Sequence, residues 1–357
     1  MEELKNIDVA KVANLNIKIS HRNWKEAFAK AFVLMSTTKP GDVIALIGPT
    51  RAGKSELLNQ LKVLFTNDLP SECEEQPLVL VELVNDDKDA RFTFRSFILQ
   101  ALEILKHPFY SSWSADGWGD PVIDSRLERA REKTLNRALI RALKQRKTRY
   151  LVIDEAQHIR FAGRDTMAAS GVMDALKVMA KKAEVVLIIA GTYPILEAIN
   201  RSSHLEARKY DVHLSRYHQN EDDMAEFRWI LAHYERFLDL DKSIPNLLDQ
   251  TELLYRASFG CIGLVRAILY EASVVAVAAG SKIGLTTLQS VIKSSEQLFS
   301  IADEILIGEQ TLGILPCSVL TSAVTSRPPE KRGKKKPSGT SKPFQRKPKR
   351  YEIGNRT

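Results

Sequence analysis

Short apolar runs alternate with stretches of helical spacing from residue 24 to residue 214. Apolar runs of strand length lie at 43–47, 77–84, 150–153 and 184–190. Amphipathic stretches of helical length lie at 54–66, 93–106, 123–146 and 167–182, and another runs from Trp24 to a stop at Lys39-Pro40-Gly41. Apolar runs separated by helices are typical of parallel strands buried on both faces. The pattern therefore predicts an α/β fold with a parallel, doubly wound sheet.

The pattern changes after about Gln219, where no further strand is evident. Helical spacing recurs at 221–238, 246–258, 261–279 and 286–297, which predicts a small helical lid domain. The expected organisation is an N-terminal segment over residues 1–22 and an α/β domain over residues 23–218. A helical lid over residues 219–300 and a basic, mostly disordered C-terminal tail over residues 301–357 follow.

Charge is unevenly distributed along the 357 residues. The net charge is +8, and residues 327–357 alone hold twelve Lys or Arg against two Glu, a charge of +10. The rest of the chain therefore sums to −2. The tail also holds five prolines and almost no large apolar side chains, so burial cannot offset the entropy lost on ordering. A flexible basic tail is typical of contact with nucleic acid, and it also suits an anionic membrane surface.

Three cysteines lie far apart, at 73, 261 and 317, and predict neither a disulfide framework nor a zinc site. The N-terminus alternates charged and apolar residues, unlike a signal peptide. The most apolar stretches, 185–190 and 272–279, are shorter than the roughly 20 residues that cross a bilayer. We therefore expect a cytoplasmic protein with no membrane partner.

A phosphate-binding loop follows the first apolar run as Gly48-x-x-x-x-Gly53-Lys54-Ser55. Glycines let backbone N–H groups point at phosphate, Lys54 can reach the β and γ phosphates, and the Ser55 hydroxyl can bind Mg²⁺. A glycine-rich turn with a surface lysine is the alternative, which the preceding strand disfavours. The residues expected to contact nucleotide are Gly48, Pro49, Thr50, Arg51, Ala52, Gly53, Lys54, Ser55 and Glu56.

A second apolar strand, Tyr150-Leu151-Val152-Ile153, ends in the adjacent carboxylates Asp154 and Glu155, which is the form of a Walker B element. Asp154 is expected to help hold Mg²⁺, and Glu155 to polarise the attacking water as general base. Neighbouring strand residues normally diverge, but at the carboxyl end of a strand both can reach one crevice. The expected cofactors are ATP and Mg²⁺.

These elements resemble those of the AAA+ superfamily, which has a P-loop α/β core and a helical lid. The run Leu151-Val152-Ile153-Asp154-Glu155-Ala156-Gln157-His158-Ile159, with Ile188-Ile189-Ala190-Gly191-Thr192, is similar to transposition regulators of the TnsC and TniB type. The resemblance covers about residues 15–295.

The resemblance implies roles for residues outside the two phosphate motifs. Thr192 takes the sensor position that aligns the lytic water. Arg208 resembles the arginine finger that acts on a neighbouring subunit's γ phosphate, with Arg201 as the other possibility. Arg266, after a Gly-rich helix start, resembles the second sensor. His21 or Arg22 is expected to stack on the adenine base.

The same resemblance implies a homo-oligomer, a ring or helical filament, on duplex DNA without sequence specificity. Two basic clusters are possible DNA contacts or merely solvated faces; the first is Lys88, Arg91 and Arg95, and the second is Lys144, Arg146, Lys147 and Arg149. Transposase subunits and a target selector of the TniQ or TnsD type are the implied partners. Whether the selector is a DNA-binding protein or an RNA-guided, CRISPR-associated complex stays open.

Three functions are compatible with this reading. The first is an ATP-dependent regulator of DNA transposition. The second is a replication initiator or helicase loader, which usually carries a winged-helix domain after the lid; the residues after 297 are too few and too basic for one. The third is a nucleotide switch in a secretion or signalling complex without nucleic acid, which the +10 tail disfavours.

Overall fold

A computed structural model describes residues 19–67, 74–84, 91–111, 129–163, 166–201 and 208–314. The chain up to Leu315 forms one compact unit. Residues 315–357, which include the basic part of the predicted tail, lie outside the described residues.

One parallel sheet of five strands forms the centre of the compact unit, in the order β2-β3-β4-β1-β5. The strands are β1 Val43–Ile47, β2 Leu78–Glu82, β3 Tyr150–Asp154, β4 Val186–Gly191 and β5 Lys209–His213. The predicted α/β fold is confirmed. The apolar runs predict only the first four strands. The fifth pairs with β1 at the edge of the sheet and buries only Val212 fully, so it has no apolar run to reveal it.

Helices cover both faces of this sheet. They are α1 Arg22–Thr37, α2 Lys54–Thr66, α3 Phe94–Ile104, α4 Glu132–Gln145, α5 Thr166–Ala183 and α6 Ile195–Asn200. The aromatic stripe of α1 is core, since Trp24 is buried and stacks on Phe28 at 5.1 Å. The predicted helix at 123–146 is shorter, because Ala130 and Arg131 are not helical; its residues 123–128 are outside the described part.

The helical region follows as α7 Glu221–Glu235, α8 Thr251–Ser258, α9 Ile262–Ala278, α10 Leu285–Ser290 and α11 Ser295–Thr311, with a 3₁₀ turn at Leu247–Gln250 before α8. Its buried side chains, among them Phe227, Leu254 and Leu269, form a hydrophobic cluster of their own. This part is helical, as its spacing predicts.

The last helix requires a correction to the predicted boundary at residue 300. A capping box of Ser294 and Gln297 starts α11, which runs across residue 300 to Thr311. Ile305 of this helix belongs to the hydrophobic cluster that contains sheet residues such as Ile189. Residues 301–311 are therefore part of the folded unit, because one face of α11 is apolar and buried.

Among the described residues, no single helix is long and apolar enough to cross a membrane. The helix pair Leu247–Ser258 and Ile262–Ala278 meets the length and composition test only when joined, and it is bent by 114°.

Candidate nucleotide site

The loop after β1 has the backbone that its glycines predict. Gly53 adopts a φ of 97°, a left-handed conformation that favours glycine, and α2 begins at the next residue. Lys54 is buried, and its ammonium donates to the carbonyl oxygens of Gly48 at 3.1 Å and Pro49 at 2.8 Å. The loop thus curls around the lysine at the amino end of α2, where the helix dipole favours an anion.

The negative charges of three carboxylates act on the ammonium of Lys54. Burial lowers the pKa of its ammonium, and the negative charges of Glu155, Asp154 and Glu304 oppose that shift. Two of these carboxylates, Asp154 and Glu155, are neighbours in the chain, and the third, Glu304, is distant from both. Glu304 belongs to α11 and was not among the predicted site residues.

Asp154 and Glu155 both reach the site, because the chain turns sharply between them. Asp154 is buried at the end of β3, and its Oδ1 accepts the N–H of Glu155 at 2.8 Å. Glu155 has φ 54° and ψ 34°, a left-handed conformation that is uncommon for a residue with a side chain. Because of this turn, Glu155 does not follow the alternation of side chains along β3. Glu155 instead lines the cavity beside the phosphate loop.

Gln157 connects the two strand ends that carry Glu155 and Thr192. Its amide Nε2 donates to Oε2 of Glu155, and its Oε1 accepts the backbone N–H of Thr192 at 3.1 Å. The predicted sensor position and the predicted base are therefore joined by one side chain. Gln157 lies within the run that carries the family resemblance, although that resemblance assigned it no role.

A cavity of about 530 Å³ lies between the phosphate loop and α9. This volume is within the usual range for small-molecule sites. The lining residues are Thr50, Arg51, Ala52, Gly53, Lys54, Ser55, Glu56, Glu155, Gly263, Arg266, Ala267 and Tyr270. The predicted second sensor, Arg266, therefore shares the cavity with Lys54 and Glu155. Gly263 allows the close approach, since a Cβ there would lie 1.7 Å from the carbonyl oxygen of Arg51.

The donor set at the loop fits Mg²⁺. The Ser55 hydroxyl and the buried Asp154 carboxylate are hard oxygen ligands, which Mg²⁺ combines with water and phosphate oxygens. Among the described residues, no cluster of three or more His, Cys, Asp or Glu side chains could hold a metal by itself. A cation here would accordingly be bound together with the nucleotide.

Residues 38–199 match a family described as the AAA domain. The fold is that of an AAA+ P-loop ATPase. No curated protein matches the chain.

Several solved structures are similar to the chain at low identity. A Walker-type ATPase of Pyrococcus abyssi is 15% identical with a TM-score of 0.44, over 83% of this chain and 78% of that one. The ORC2 protein of Aeropyrum pernix, in ADPNP–ADP complexes, is 13% identical with a TM-score of 0.49, over 86% and 80%. Cdc6p from Pyrobaculum aerophilum is 16% identical with a TM-score of 0.49, over 89% of each chain.

A smaller cavity of about 130 Å³ lies beside the first, and His21, Trp24, Gln60 and Tyr234 contribute to its lining. His21 caps α1, and its Nδ1 lies 3.0 Å from the hydroxyl of Tyr217. Burial lowers the pKa of this imidazole to about 4, so it is neutral near pH 7. Of the two residues predicted to contact the base, His21 lines this smaller cavity, and its contact with a base stays a prediction.

Arg22 is not. Its guanidinium pairs with the carboxylate of Asp223 and lies 5.5 Å from the centre of the Tyr217 ring. Arg22 therefore contacts the helical part of the protein, because Asp223 on α7 is its charged partner. The prediction that Arg22 stacks on the base needs this correction.

Arg208 directly precedes β5, at the amino end of the strands. The cavity lies at their carboxyl end. Its carbonyl oxygen accepts the N–H of Val43 at the start of β1, whereas the phosphate loop follows the end of β1. A strand of this length places the two about 16 Å apart along its direction. Arg208 is exposed, and Arg201 forms an exposed ion pair with Glu197 at 2.8 Å. Arg208 therefore does not reach the cavity of its own chain, and its role as a finger for a neighbouring subunit stays a prediction.

The basic residues proposed for DNA differ in their surroundings. Lys88 lies outside the described residues. Arg91 is exposed, and Arg95 is half-buried and donates to the carbonyl oxygen of Ala130. Lys147, of the second cluster, pairs with Glu75. In that cluster Lys144 and Arg146 are also paired, with Glu184 and Glu74, which reduces its net positive charge.

Proposed function

We propose that this protein is an ATP-dependent regulator of DNA transposition. It assembles with further copies on duplex DNA when ATP is bound, links a target selector to the transposase, and disassembles on hydrolysis. The observation that carries the proposal is the position of Arg208, on the sheet edge away from the cavity of its own chain. In this proposal Arg208 is the finger that completes the nucleotide site of a neighbouring subunit.

The cavity supports ATP hydrolysis with residues in separate roles. Lys54 compensates the charge of the β and γ phosphates, and Arg266 contacts the phosphates from the lid. Ser55 and Asp154 hold Mg²⁺, which supplies neutralisation of the phosphate charge. Glu155 polarises the attacking water, and Gln157 holds the carboxylate of Glu155 in place.

Two features of the sequence support transposition in particular. The run from Leu151 to Ile159, with Gly191 and Thr192, resembles regulators of the TnsC and TniB type. The tail of residues 327–357 adds a charge of +10 that suits DNA or an acidic protein surface. Transposase subunits and a selector of the TniQ or TnsD type are the proposed partners.

The first experiment measures ATP-dependent assembly. Purified protein is mixed with two duplexes of unrelated sequence, with and without ATP, and examined by sedimentation and electron microscopy. We expect rings or filaments on both duplexes with ATP. Lys54→Ala should abolish them, because the triphosphate charge is left uncompensated, whereas Lys62→Ala, an exposed lysine on the same helix, should not. Normal assemblies from Lys54→Ala would refute the proposal.

The second experiment tests transposition and the tail. Products of the neighbouring genes, with any transposase or selector among them, are tested for retention by the full chain and by a chain that lacks residues 327–357. DNA affinity is measured for both chains at several salt concentrations. A tail that binds DNA gives the full chain the steeper loss of affinity with salt. A tail that docks on the transposase gives equal slopes and a lost pull-down. A full chain that assembles on DNA but retains neither partner would indicate a replication initiator or loader instead.

A further inference from the structure

Exposed cations collect at the amino ends of the three central strands. Arg149 directly precedes β3, and Lys39 lies in the connection between α1 and β1. Lys181 and Lys182 are in the last turn of α5, just before β4. All four residues are exposed. We call these four residues the basic edge.

Direct contacts join the segments that carry the basic edge. The guanidinium of Arg149 donates to the carbonyl oxygen of Ser36, at the end of α1, at 3.2 Å. A Cβ on Gly41 would lie 3.7 Å from the side chain of Lys181, so these two residues are packed together. Ser36 and Gly41 lie on either side of Lys39 in the chain. The three segments therefore form one continuous surface.

The positive charge of the basic edge is not neutralised locally. The nearby cations Lys144, Arg146 and Lys147 each form an ion pair with a glutamate. No carboxylate that the structure describes lies within ion-pair distance of the basic edge itself. Asp42, just before β1, is half-buried. Four exposed cations on one surface indicate a ligand with several negative charges.

The spacing of the basic edge suits an extended polyanion. None of its residues lines either of the cavities described above, so it does not enclose a small phosphate compound. Adjacent strands lie about 4.8 Å apart, so three strand ends distribute the cations over about 10 Å. One strand of DNA carries a phosphate about every 3.4 Å, and the basic edge therefore faces about three of them.

We propose that the basic edge is a docking surface for the phosphate backbone of duplex DNA. It is distinct from the first predicted cluster, because Arg91 and Arg95 follow the carboxyl end of β2. The length of β1, about 16 Å, separates it from the phosphate loop, so bound DNA leaves the nucleotide cavity open. Arg208, at the amino end of β5, is not included, since the proposed function assigns it to a neighbouring subunit. This inference rests on DNA binding, which is part of the proposed function.

The dependence of DNA affinity on salt tests the basic edge. Affinity for a fluorescent duplex is measured by anisotropy for the wild type and for a basic-edge variant that combines Lys39→Gln, Lys181→Gln and Lys182→Gln. A control variant loses the same charge at three exposed cations of the helical region, through Arg228→Gln, Lys242→Gln and Lys293→Gln. Each phosphate contact contributes about 0.9 to the slope of log affinity against log salt, so the basic-edge variant should lower the slope by about two to three. The control should keep the slope of the wild type.

A basic-edge variant with the slope of the control overturns the inference, while DNA binding by the wild type leaves the proposed function intact. A wild type that does not bind DNA overturns both. Both variants should bind an ATP analogue as the wild type does, because the changed residues lie outside the cavity. If the basic-edge variant loses binding to vesicles that contain phosphatidylserine but keeps its DNA slope, the surface serves an anionic membrane and the inference fails.

A second measurement needs no variant. The wild type is acetylated with and without a duplex, in the absence of ATP, and each lysine is followed by mass spectrometry. DNA should slow the acetylation of Lys39, Lys181 and Lys182, because their ammonium groups contact phosphates, and should leave Lys242 and Lys293 unchanged. Equal acetylation of the basic edge with and without DNA would also overturn the inference.

Discussion

The ion pair between Arg216 and Glu309 should be the contact on which α11 depends most. Glu309 has no exposed surface and Arg216 is 13% exposed. Arg216→Met would leave a buried carboxylate without its partner, which typically costs about 3–5 kcal/mol. It would also leave the carbonyl of Phe259 without the bond that Arg216 now donates at 3.1 Å. For a folded unit of this size, the loss corresponds to a fall in Tm of roughly 6–10 °C.

The double variant Arg216→Met with Glu309→Leu separates the charge from the packing. Replacing both members of a buried pair by apolar groups is often close to neutral, so the double variant should recover at least half of the loss. Urea unfolding measures the free energy of unfolding of both variants. A double variant no more stable than Arg216→Met would show that packing, not an uncompensated charge, sets the cost.

Three further outcomes are expected. Glu155→Gln should bind ATP and keep its assemblies while phosphate release falls by at least about 10²-fold, and undiminished release would assign the base to another residue. Arg208→Ala should lose most ATPase activity, and mixing it with Lys54→Ala should restore part, because some interfaces then join an intact cavity to an intact finger; no gain would turn attention to Arg201. The folded pKa of His21, about 4, lies below the usual 6.5, so the unfolded chain takes up its proton first and stability falls by about 3 kcal/mol as pH falls from about 6.5 to about 4. His21→Asn keeps a helix-capping side chain and should reduce this loss in urea unfolding, and an identical pH profile would contradict the shift.

The parts of this protein that the sequence determined by itself are local in the chain. The phosphate loop needs eight consecutive residues, and Asp154 and Glu155 directly follow an apolar strand. Four strands are recognisable because burial on both faces makes them continuous apolar runs. The helices of the lid follow from their spacing. Each of these signals is short, so each can be read without knowing what packs against it.

Tertiary structure decided the contacts between distant residues. Arg22 pairs with Asp223, 201 residues away, and not with the predicted base. Strand β5 forms because it pairs with β1, and its position at the edge of the sheet does not require a continuous apolar run. The left-handed turn at Glu155 and its bond to Gln157 orient the Glu155 carboxylate, whose direction strand alternation alone leaves undetermined.

Helix α11 is the clearest case. Its residues follow the lid and precede a basic tail, and the order of residues there does not mark Arg216 as the partner of Glu309. The helix packs beside Tyr193 because Glu309 pairs with Arg216, across 93 residues, and because Gly308 leaves room for the Tyr193 ring. A buried charge is stable only beside its partner, and which partner it meets is settled when the chain packs, not by the order of its residues.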